Sequence, residues 1–237
     1  MPENTKRADP RQQFVNFLFY KADAAWRRLP ARERARGKNE FINCVKKYQK
    51  KMIIVPYSLV GIRGDCDIML WRIGYDMEDI QKMAAELLAT GLGKYLTVPY
   101  SYLSMTKRSI YVDKHVHADQ EGRRVTLDPG KFKYLFVYPF LKTREWYLLS
   151  QERRQEMMDS HIRIGHKYPT VRLNTTYSFG LDDQEFVVAF ETDKPEHFLD
   201  LVMELRGVEG SRFTLRDTPI FTCAHHDLRE VLNLLGG

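Results

Sequence analysis

The sequence predicts an α+β protein built from two similar halves, and three observations lead to that prediction. The chain has 237 residues, enough for one large domain or two small ones with a real core. Short apolar runs rich in β-branched and aromatic residues alternate with longer amphipathic stretches, a pattern typical of mixed strands and helices. The same order of landmarks also occurs twice along the chain.

Two pairs of landmarks define the repeat. An apolar run leads to Trp26 in the first copy and to Trp146 in the second, a separation of 146 − 26 = 120 residues. A loop beginning at Gly61 and another beginning at Gly180 each precede an apolar run, and 180 − 61 = 119. Each copy reads strand, helix, strand, strand, helix. We therefore expect two ferredoxin-like halves whose antiparallel sheets pack side by side, with the helices outside.

The repeat divides the chain into four segments. The expected bounds are 12–112 for the first half, 113–131 for a linker, 132–224 for the second half and 225–237 for a tail. Amphipathic helices are expected at 76–88 and 194–205. A linker of this length is often a functional rim or lid. The tail reads as a short amphipathic helix that docks on a neighbouring subunit or on the body of the protein.

Composition and charge favour an ordinary globular protein of the cytoplasm. The formal charge of +6 favours anionic partners, but the basic residues are scattered, so we interpret them as solvated surface and expect no nucleic-acid partner. The polar N-terminus lacks the apolar run of a signal peptide, and no stretch has the roughly 18–20 apolar residues that span a bilayer. Three separated cysteines, Cys44, Cys66 and Cys223, are expected to be buried free thiols.

A helix expected to begin after Ser150 carries the clearest chemical signal. Ser150 is a good N-cap, and Met157, His161 and Ile164 fall on one face at the spacing i, i+4 and i+7. A lone histidine on an apolar face is more often a core or boundary residue than a ligand. A soft apolar collar around one imidazole is nevertheless what the iron of a haem-type porphyrin requires. His166 is the competing ligand and is expected to be more exposed.

A second signal is the aromatic strand expected within residues 133–146. Its alternation places Tyr138 on one face together with two other aromatic residues. Pro139 is expected to end regular pairing and to kink the chain. Tyr138, with Lys142 and Trp146 downstream, then fits a redox-active phenol beside a cation and an indole. An aromatic core strand is the alternative interpretation.

Several segments together resemble the chlorite dismutase family. The resemblance covers the chain from about Phe14 to Cys223, in order, and is carried by residues 55–71, 99–111, 133–149, 161–186 and 214–223. It implies a dimeric α+β barrel within one chain, assembled into a homopentamer. It also implies one haem-type porphyrin in the second half of each subunit, with His161 as the proximal ligand of the iron.

The family contains two activities, and fold does not separate them. In the family that this sequence resembles, true chlorite dismutases carry a distal arginine thirteen residues after the proximal histidine. In this sequence the thirteenth residue after His161 is Asn174, next to Leu173. Both are expected beside the cofactor. Arg172 is one or two positions out of register. A proximal glutamate is also expected in a chlorite dismutase, and Gly210 stands at its place, although a one-residue slip would bring in Glu209.

The spacing around His161 is most similar to that of actinobacterial coproheme decarboxylases. The resemblance implies oxidative decarboxylation of iron coproporphyrin III (coproheme) by hydrogen peroxide, giving haem b in haem biosynthesis. In that reaction Tyr138 forms the radical that attacks a propionate, and Trp146 lies nearby. A chlorite dismutase and a non-catalytic haem-binding protein remain as alternatives.

The same resemblance suggests further contacts of the porphyrin. Its carboxylates are expected to meet Lys142, with Ser104 and Lys107 as weaker candidates, because charged hydrogen bonds to carboxylates are strong. A distal base that accepts a proton from peroxide is expected at His117 or His115 on the linker.

Overall fold

The computed structural model describes residues 11–111 and 126–236. The first half contains β1 (Phe14–Ala22), α1 (Ala24–Arg28), α2 (Ala31–Tyr48), β2 (Ile53–Ser58), β3 (Ile68–Gly74), α3 (Met77–Ala89) and β4 (Leu96–Met105). The second half contains β5 (Tyr134–Lys142), α4 (Arg144–Leu148), α5 (Gln151–Gly165), β6 (Arg172–Tyr177), β7 (Phe186–Thr192), α6 (Pro195–Arg206), β8 (Thr214–Arg216) and β9 (Phe221–His225). Helix α7 (Leu228–Asn233) follows, and short 3-10 helices occupy Gly93–Tyr95 and Glu209–Phe213.

The internal repeat expected from the sequence is present in the secondary structure. Strand β5 begins 134 − 14 = 120 residues after β1, and α5 begins 151 − 31 = 120 residues after α2. Gly61 and Gly180 both have positive φ angles, 77° and 72°, a conformation that is easy only for glycine. The amphipathic stretches predicted at 76–88 and 194–205 form α3 and α6. The α+β prediction is therefore confirmed.

One antiparallel sheet joins the two halves. Its nine strands run in the order β7-β6-β4-β1-β3-β2-β9-β5-β8. Strand β7, the first in this order, also pairs with β5 near the other end. The series of strand pairs therefore begins and ends at β7. Within the first half the order is β4-β1-β3-β2, and within the second it is β9-β5-β7-β6, the same arrangement of equivalent strands. The sheets of the halves meet edge to edge through the β2–β9 and β4–β6 pairs.

The two faces of the sheet bury different cores. One face forms a cluster shared by both halves, with fully buried side chains that include Phe17, Trp71, Leu135, Val137 and Ala189. The other face is covered by helices, and α7 packs its buried leucine and valine side chains into the core of the first half. The tail therefore docks on the body of the protein.

All three cysteines are buried and free, as predicted. Over the described ranges, no helix is long and apolar enough to span a membrane.

Pro139 does not end its strand, which corrects the expectation from the sequence. Strand β5 continues to Lys142 and stays paired with β7 on both sides of Pro139. On the other edge, the pairing of β5 with β9 stops at Val137 and Phe221, so no N–H donor is needed there at Pro139. Tyr138 thus lies in an uninterrupted part of β5. On the edge of β5 next to it, β9 pairs only as far as Val137 and β8 pairs only from Leu141 onwards.

Candidate functional site

The repeat offset makes it possible to compare one position in the two halves. Helices α2 and α5 start 120 residues apart, so Phe41 and His161 are equivalent, because 41 + 120 = 161. Phe41 is fully buried and its ring meets that of Tyr20 edge-on, with centroids 6.2 Å apart. His161 is only half-buried. The histidine thus stands where the first half has a core aromatic residue.

The neighbours of this position differ in the same way. In the first half the space between helix and sheet is filled by buried side chains: Leu18, Tyr20, Phe41, Ile42 and Leu70. In the second half the residues 120 positions later are all half-buried: Tyr138, Phe140, His161 and Ile162. Val188, which pairs with Tyr138 as Leu70 pairs with Leu18, is half-buried too. The second half therefore leaves apolar surface partly uncovered where the first half is solidly packed. Such a surface around one imidazole fits a flat apolar group that carries a metal.

This difference predicts unequal effects on stability. Phe41→Ala should lower the free energy of unfolding by about 3–5 kcal/mol, because it opens a cavity in a packed core. His161→Ala, at the equivalent but incompletely filled position, should change it by less than about 1 kcal/mol in the porphyrin-free protein. Urea unfolding of both variants measures the difference. Equal losses would mean that the second half is packed as tightly as the first.

Burial sets the protonation state of His161. Helix α5 begins as predicted, with the Ser150 hydroxyl accepting a hydrogen bond from the Arg153 N–H (3.2 Å). Burial, and secondly the positive charge of Lys142, lower the pKa of His161 to about 4. The imidazole is therefore neutral at pH 7, which is the form that binds a metal ion. His166 is exposed at the C-terminal end of the helix, as expected.

Lys142 lies on the same side of the site as His161. Its Nζ donates to the carbonyl oxygen of Gly210 (2.9 Å) and lies 4.5 Å from the ring centre of Trp146. Its backbone N–H donates to Glu185 (2.8 Å). Burial lowers the pKa of Lys142 to about 8, so most molecules carry the charge at pH 7. The structure thus brings Lys142, Trp146 and His161 together.

Trp146 is held by aromatic neighbours from two other segments. Only 3% of its surface is exposed, and its ring packs against those of Tyr111 (6.4 Å) and Phe213 (5.7 Å). Tyr111 precedes the linker, and its carbonyl oxygen accepts a hydrogen bond from Gln155 of α5 (3.0 Å). The indole is therefore a fixed wall of the site rather than a mobile side chain.

Tyr138 faces the helix side of the sheet. Its ring stacks on Phe190 of β7, with centroids 6.1 Å apart. Leu173 pairs with Phe190 and belongs to the same apolar cluster, so it also faces the site. Burial, and secondly the negative charge of Asp217, raise the pKa of Tyr138 well above its usual value. The phenol therefore keeps its proton at neutral pH.

Two residues expected to contact a porphyrin lie on the opposite face of the sheet, and those expectations are corrected. Asn174 is buried and its amide donates to Glu191 (3.0 Å). Ser104 is fully buried and its hydroxyl lies 2.8 Å from that of Thr176. Successive side chains of a strand point to opposite faces, so the one-residue step from Leu173 to Asn174 decides which of them reaches the site.

The 3-10 helix at Glu209–Phe213 brings no carboxylate to the imidazole of His161. Glu209 is exposed and forms an ion pair with Arg153 (2.6 Å). Gly210, next to it, offers only its carbonyl oxygen, which Lys142 occupies. A one-residue slip therefore does not bring the Glu209 carboxylate to the imidazole.

The remaining predicted residues lie at or beyond the edge of the described site. Lys107 is exposed on the segment after β4. His115 and His117 lie outside the described residues. The sequence reasoning missed an ion pair between Arg206, the last residue of α6, and Asp217, the residue after β8.

The fold and the site together define an α+β protein with half-buried apolar surface around one neutral histidine. Residues 32–226 match the chlorite dismutase family. The chain belongs to the chlorite dismutase family.

Relatives in this family have different names. A curated coproheme decarboxylase from Mycolicibacterium smegmatis is 31% identical over 193 residues, which cover 80% of this chain and 81% of the relative. A variant chlorite dismutase from Candidatus Nitrospira defluvii superimposes with a TM-score of 0.87, 28% identity and coverage of 95% and 96%. A haem-binding protein from Thermus thermophilus shares the fold, with a TM-score of 0.84, 23% identity and 94% coverage of both chains.

Proposed function

We propose that this protein is a coproheme decarboxylase, which converts iron coproporphyrin III to haem b with hydrogen peroxide. The observation that carries the proposal is the half-buried apolar surface around His161, at the place where the first half of the chain is solidly packed. The name of the curated relative supports the choice of reaction. The porphyrin is then both the substrate and the cofactor.

The residues present fit such a group. His161 offers a neutral imidazole to the iron, and half-buried apolar side chains such as Leu173 and Val188 line the sheet side. Lys142 offers a positive charge to one of the carboxylates. Bound iron porphyrin supplies a strong oxidant when it reacts with peroxide.

In this proposal Tyr138 relays the oxidation to a propionate side chain. Its half-buried phenol keeps its proton at rest, so it can give up a hydrogen atom and later take one back from a propionate carbon. Loss of carbon dioxide then leaves a vinyl group, and a second round completes haem b. Lys142 and Trp146 lie together, with the lysine ammonium group 4.5 Å from the centre of the indole ring.

The direct test is conversion of the proposed substrate. When purified protein is incubated with iron coproporphyrin III and hydrogen peroxide, the porphyrin should lose two propionate carboxyl groups in succession. Mass spectrometry measures both losses. Omission of peroxide is the control. Tight binding without any mass change would instead support a non-catalytic haem-binding protein.

Chlorite should be a poor substrate. Leu173 supplies no guanidinium on the site face, and Gly210 supplies no carboxylate near His161. Both groups favour cleavage of an oxyanion, the first by holding the anion and the second by increasing electron density at iron. An oxygen electrode should therefore record no sustained oxygen release from chlorite, with a known chlorite dismutase as positive control. Sustained release would favour that alternative.

We also propose a finer architecture, which is supported by the strand pairings and by the family resemblance. The equal strand order in both halves and the ring of strand pairings support two ferredoxin-like units that close into a barrel. The family resemblance suggests a homopentamer in the cytoplasm, and the segment bounds 12–112, 113–131, 132–224 and 225–237 stay predictions. Light scattering of the purified protein tests the subunit number.

A further inference from the structure

The positive charge of the chain is concentrated in residues 24–51, the segment that contains α1 and α2. Its basic residues are Arg27, Arg28, Arg32, Arg34, Arg36, Lys38, Lys46, Lys47, Lys50 and Lys51, and its acidic residues are Glu33 and Glu40. The formal charge of the segment is therefore 10 − 2 = +8, whereas the whole chain has +6. The rest of the chain thus carries 6 − 8 = −2, which corrects the interpretation of the basic residues as scattered. A segment of this charge attracts an anionic partner.

Helix α2 carries part of this charge in a single row on the side away from the core. The residues of the row are all exposed, and their spacing of i, i+4, i+7, i+11, i+14 and i+18 places them on one helix face, with the last in the turn after α2. Buried side chains such as Phe41 and Val45 lie on the opposite face. We call this surface the basic row, and it consists of Arg32, Arg36, Asn39, Asn43, Lys46 and Lys50. Arg229 of α7 donates a hydrogen bond to Asn39 (3.2 Å) and adds one more exposed cation.

The acidic residues around α2 leave most of the basic row without a counter-charge. Lys47, on the flank towards α3, forms an ion pair with Glu86 (2.6 Å). Within the row, Arg36 is paired with Glu40 (3.4 Å). Among the residues that the structure describes, the other three cations of the row belong to no ion pair. At a rise of 1.5 Å per residue, these charges extend over about 27 Å of surface.

The repeat shows that the basic row is not a requirement of the fold. In α5, the equivalent helix, the first three positions of the row are occupied by Glu152, Glu156 and Asp159. The same helix geometry therefore tolerates either sign of charge. The Glu156 carboxylate accepts a hydrogen bond from Arg153 (2.8 Å), and that of Asp159 accepts one from Gln155 (2.6 Å). These carboxylates are bound within their own helix, so they are less available to the basic row of a second copy of the chain.

The composition of the segment favours a lipid surface over other anionic partners. Its aromatic residues, Trp26, Phe41 and Tyr48, are all buried. Single-stranded nucleic acid is bound by exposed aromatic side chains, and protein interfaces depend on aromatic or apolar anchors, so the basic row suits neither partner. A bilayer that contains anionic lipid presents a flat and fluid layer of negative charge, and a cluster of basic side chains is sufficient to bind it.

We propose that the basic row docks this protein on the surface of membranes that contain anionic lipids. The contact is peripheral and electrostatic, with the lysine and arginine side chains at the level of the lipid headgroups. Each basic residue near such a surface strengthens binding about fivefold, so the four cations of the row and Arg229 beside it support reversible attachment. Salt weakens an attachment of this kind. The inference does not depend on the function proposed above.

Co-sedimentation of the whole chain with lipid vesicles tests the proposal. The protein should sediment with vesicles that contain phosphatidylglycerol and phosphatidylcholine but not with vesicles of phosphatidylcholine alone, and salt at about 0.5 M should release it. The triple variant Arg32→Gln, Lys46→Gln, Lys50→Gln should bind the anionic vesicles about a hundredfold more weakly, because each lost charge costs about fivefold. Absence of wild-type binding to anionic vesicles, or equal binding to both kinds of vesicle, would overturn the inference.

A second triple variant controls for the loss of net charge. Lys133→Gln, Lys194→Gln, Arg212→Gln removes three exposed positive charges from the second half of the chain and should bind nearly as well as the wild type. Equal weakening in the two variants would show that the position of the charges does not matter, and the basic row would then lose its role. All six side chains are exposed, so the temperature of unfolding should be the same in both variants and the wild type.

Two further measurements separate the other possible occupants of the row. Fluorescence anisotropy with duplex DNA of mixed sequence should detect weaker binding than the anionic vesicles show. Tighter binding to the duplex that is lost in the Arg32, Lys46 and Lys50 variant would assign the row to nucleic acid and overturn the membrane proposal. Light scattering should find the same subunit number in this variant and in the wild type. A smaller number in the variant would make the row a contact between subunits and would also overturn the proposal.

Discussion

Replacement of Tyr138 by phenylalanine is expected to leave porphyrin binding intact and to lower the rate of decarboxylation by more than about a hundredfold. The change keeps the ring that stacks on Phe190 and removes the oxidisable hydroxyl. Binding should survive because the iron ligand His161 and the apolar lining are unaffected. Mass spectrometry after addition of peroxide should find unreacted coproheme.

Trp146→Phe is the matched control for this result. It replaces the oxidisable indole next to Lys142 by a phenyl ring, but it leaves the Tyr138 phenol in place. We expect a slower reaction in which mainly the second decarboxylation is affected. If Tyr138→Phe instead produced haem b at nearly the wild-type rate, the tyrosine relay would be wrong, although the porphyrin site would stand.

His161→Ala is expected to abolish the five-coordinate haem spectrum and to weaken iron-porphyrin binding by at least about a hundredfold. Loss of a group that only supports a metal ligand costs roughly 10–100-fold in affinity, so loss of the ligand itself should cost no less. Absorption spectroscopy with iron coproporphyrin III measures both effects. The porphyrin without iron should bind the variant and the wild type similarly.

His166→Ala supplies the control for the iron ligand. His166 lies five residues further along the chain and is exposed at the end of α5, so its loss should change neither spectrum nor affinity. A normal spectrum in His161→Ala combined with an altered one in His166→Ala would reverse the assignment.

The repeat and the helix positions could be predicted because their signals are local. The spacing of Trp26 and Trp146 reflects two halves of similar packing, and Ser150 caps a helix by its own chemistry. Pro139 was misinterpreted because its effect depends on which edge of the strand has a partner. That partner, β9, lies about 80 residues further along the chain, since 221 − 139 = 82.

The site was predicted only in part, for a similar reason. His161 and Tyr138 follow from the periodicity of single elements, which fixes the face of a helix or strand, whereas Leu173 was suggested only by the family resemblance. Asn174 was misplaced because a one-residue uncertainty in register moves a side chain to the other face. The Arg206–Asp217 ion pair was missed because it joins the end of α6 to the segment after β8, and no single element predicts that meeting.

The unequal filling of the two halves has an evolutionary consequence. If the first copy supplies most of the folding free energy, the second copy is released from the demand for a tight interior. Substitutions around His161 then change chemistry at little risk to the fold, since only losses below the stability threshold are removed by selection. Such a division of labour between duplicated copies would let one architecture diversify into the differently named relatives found in this family.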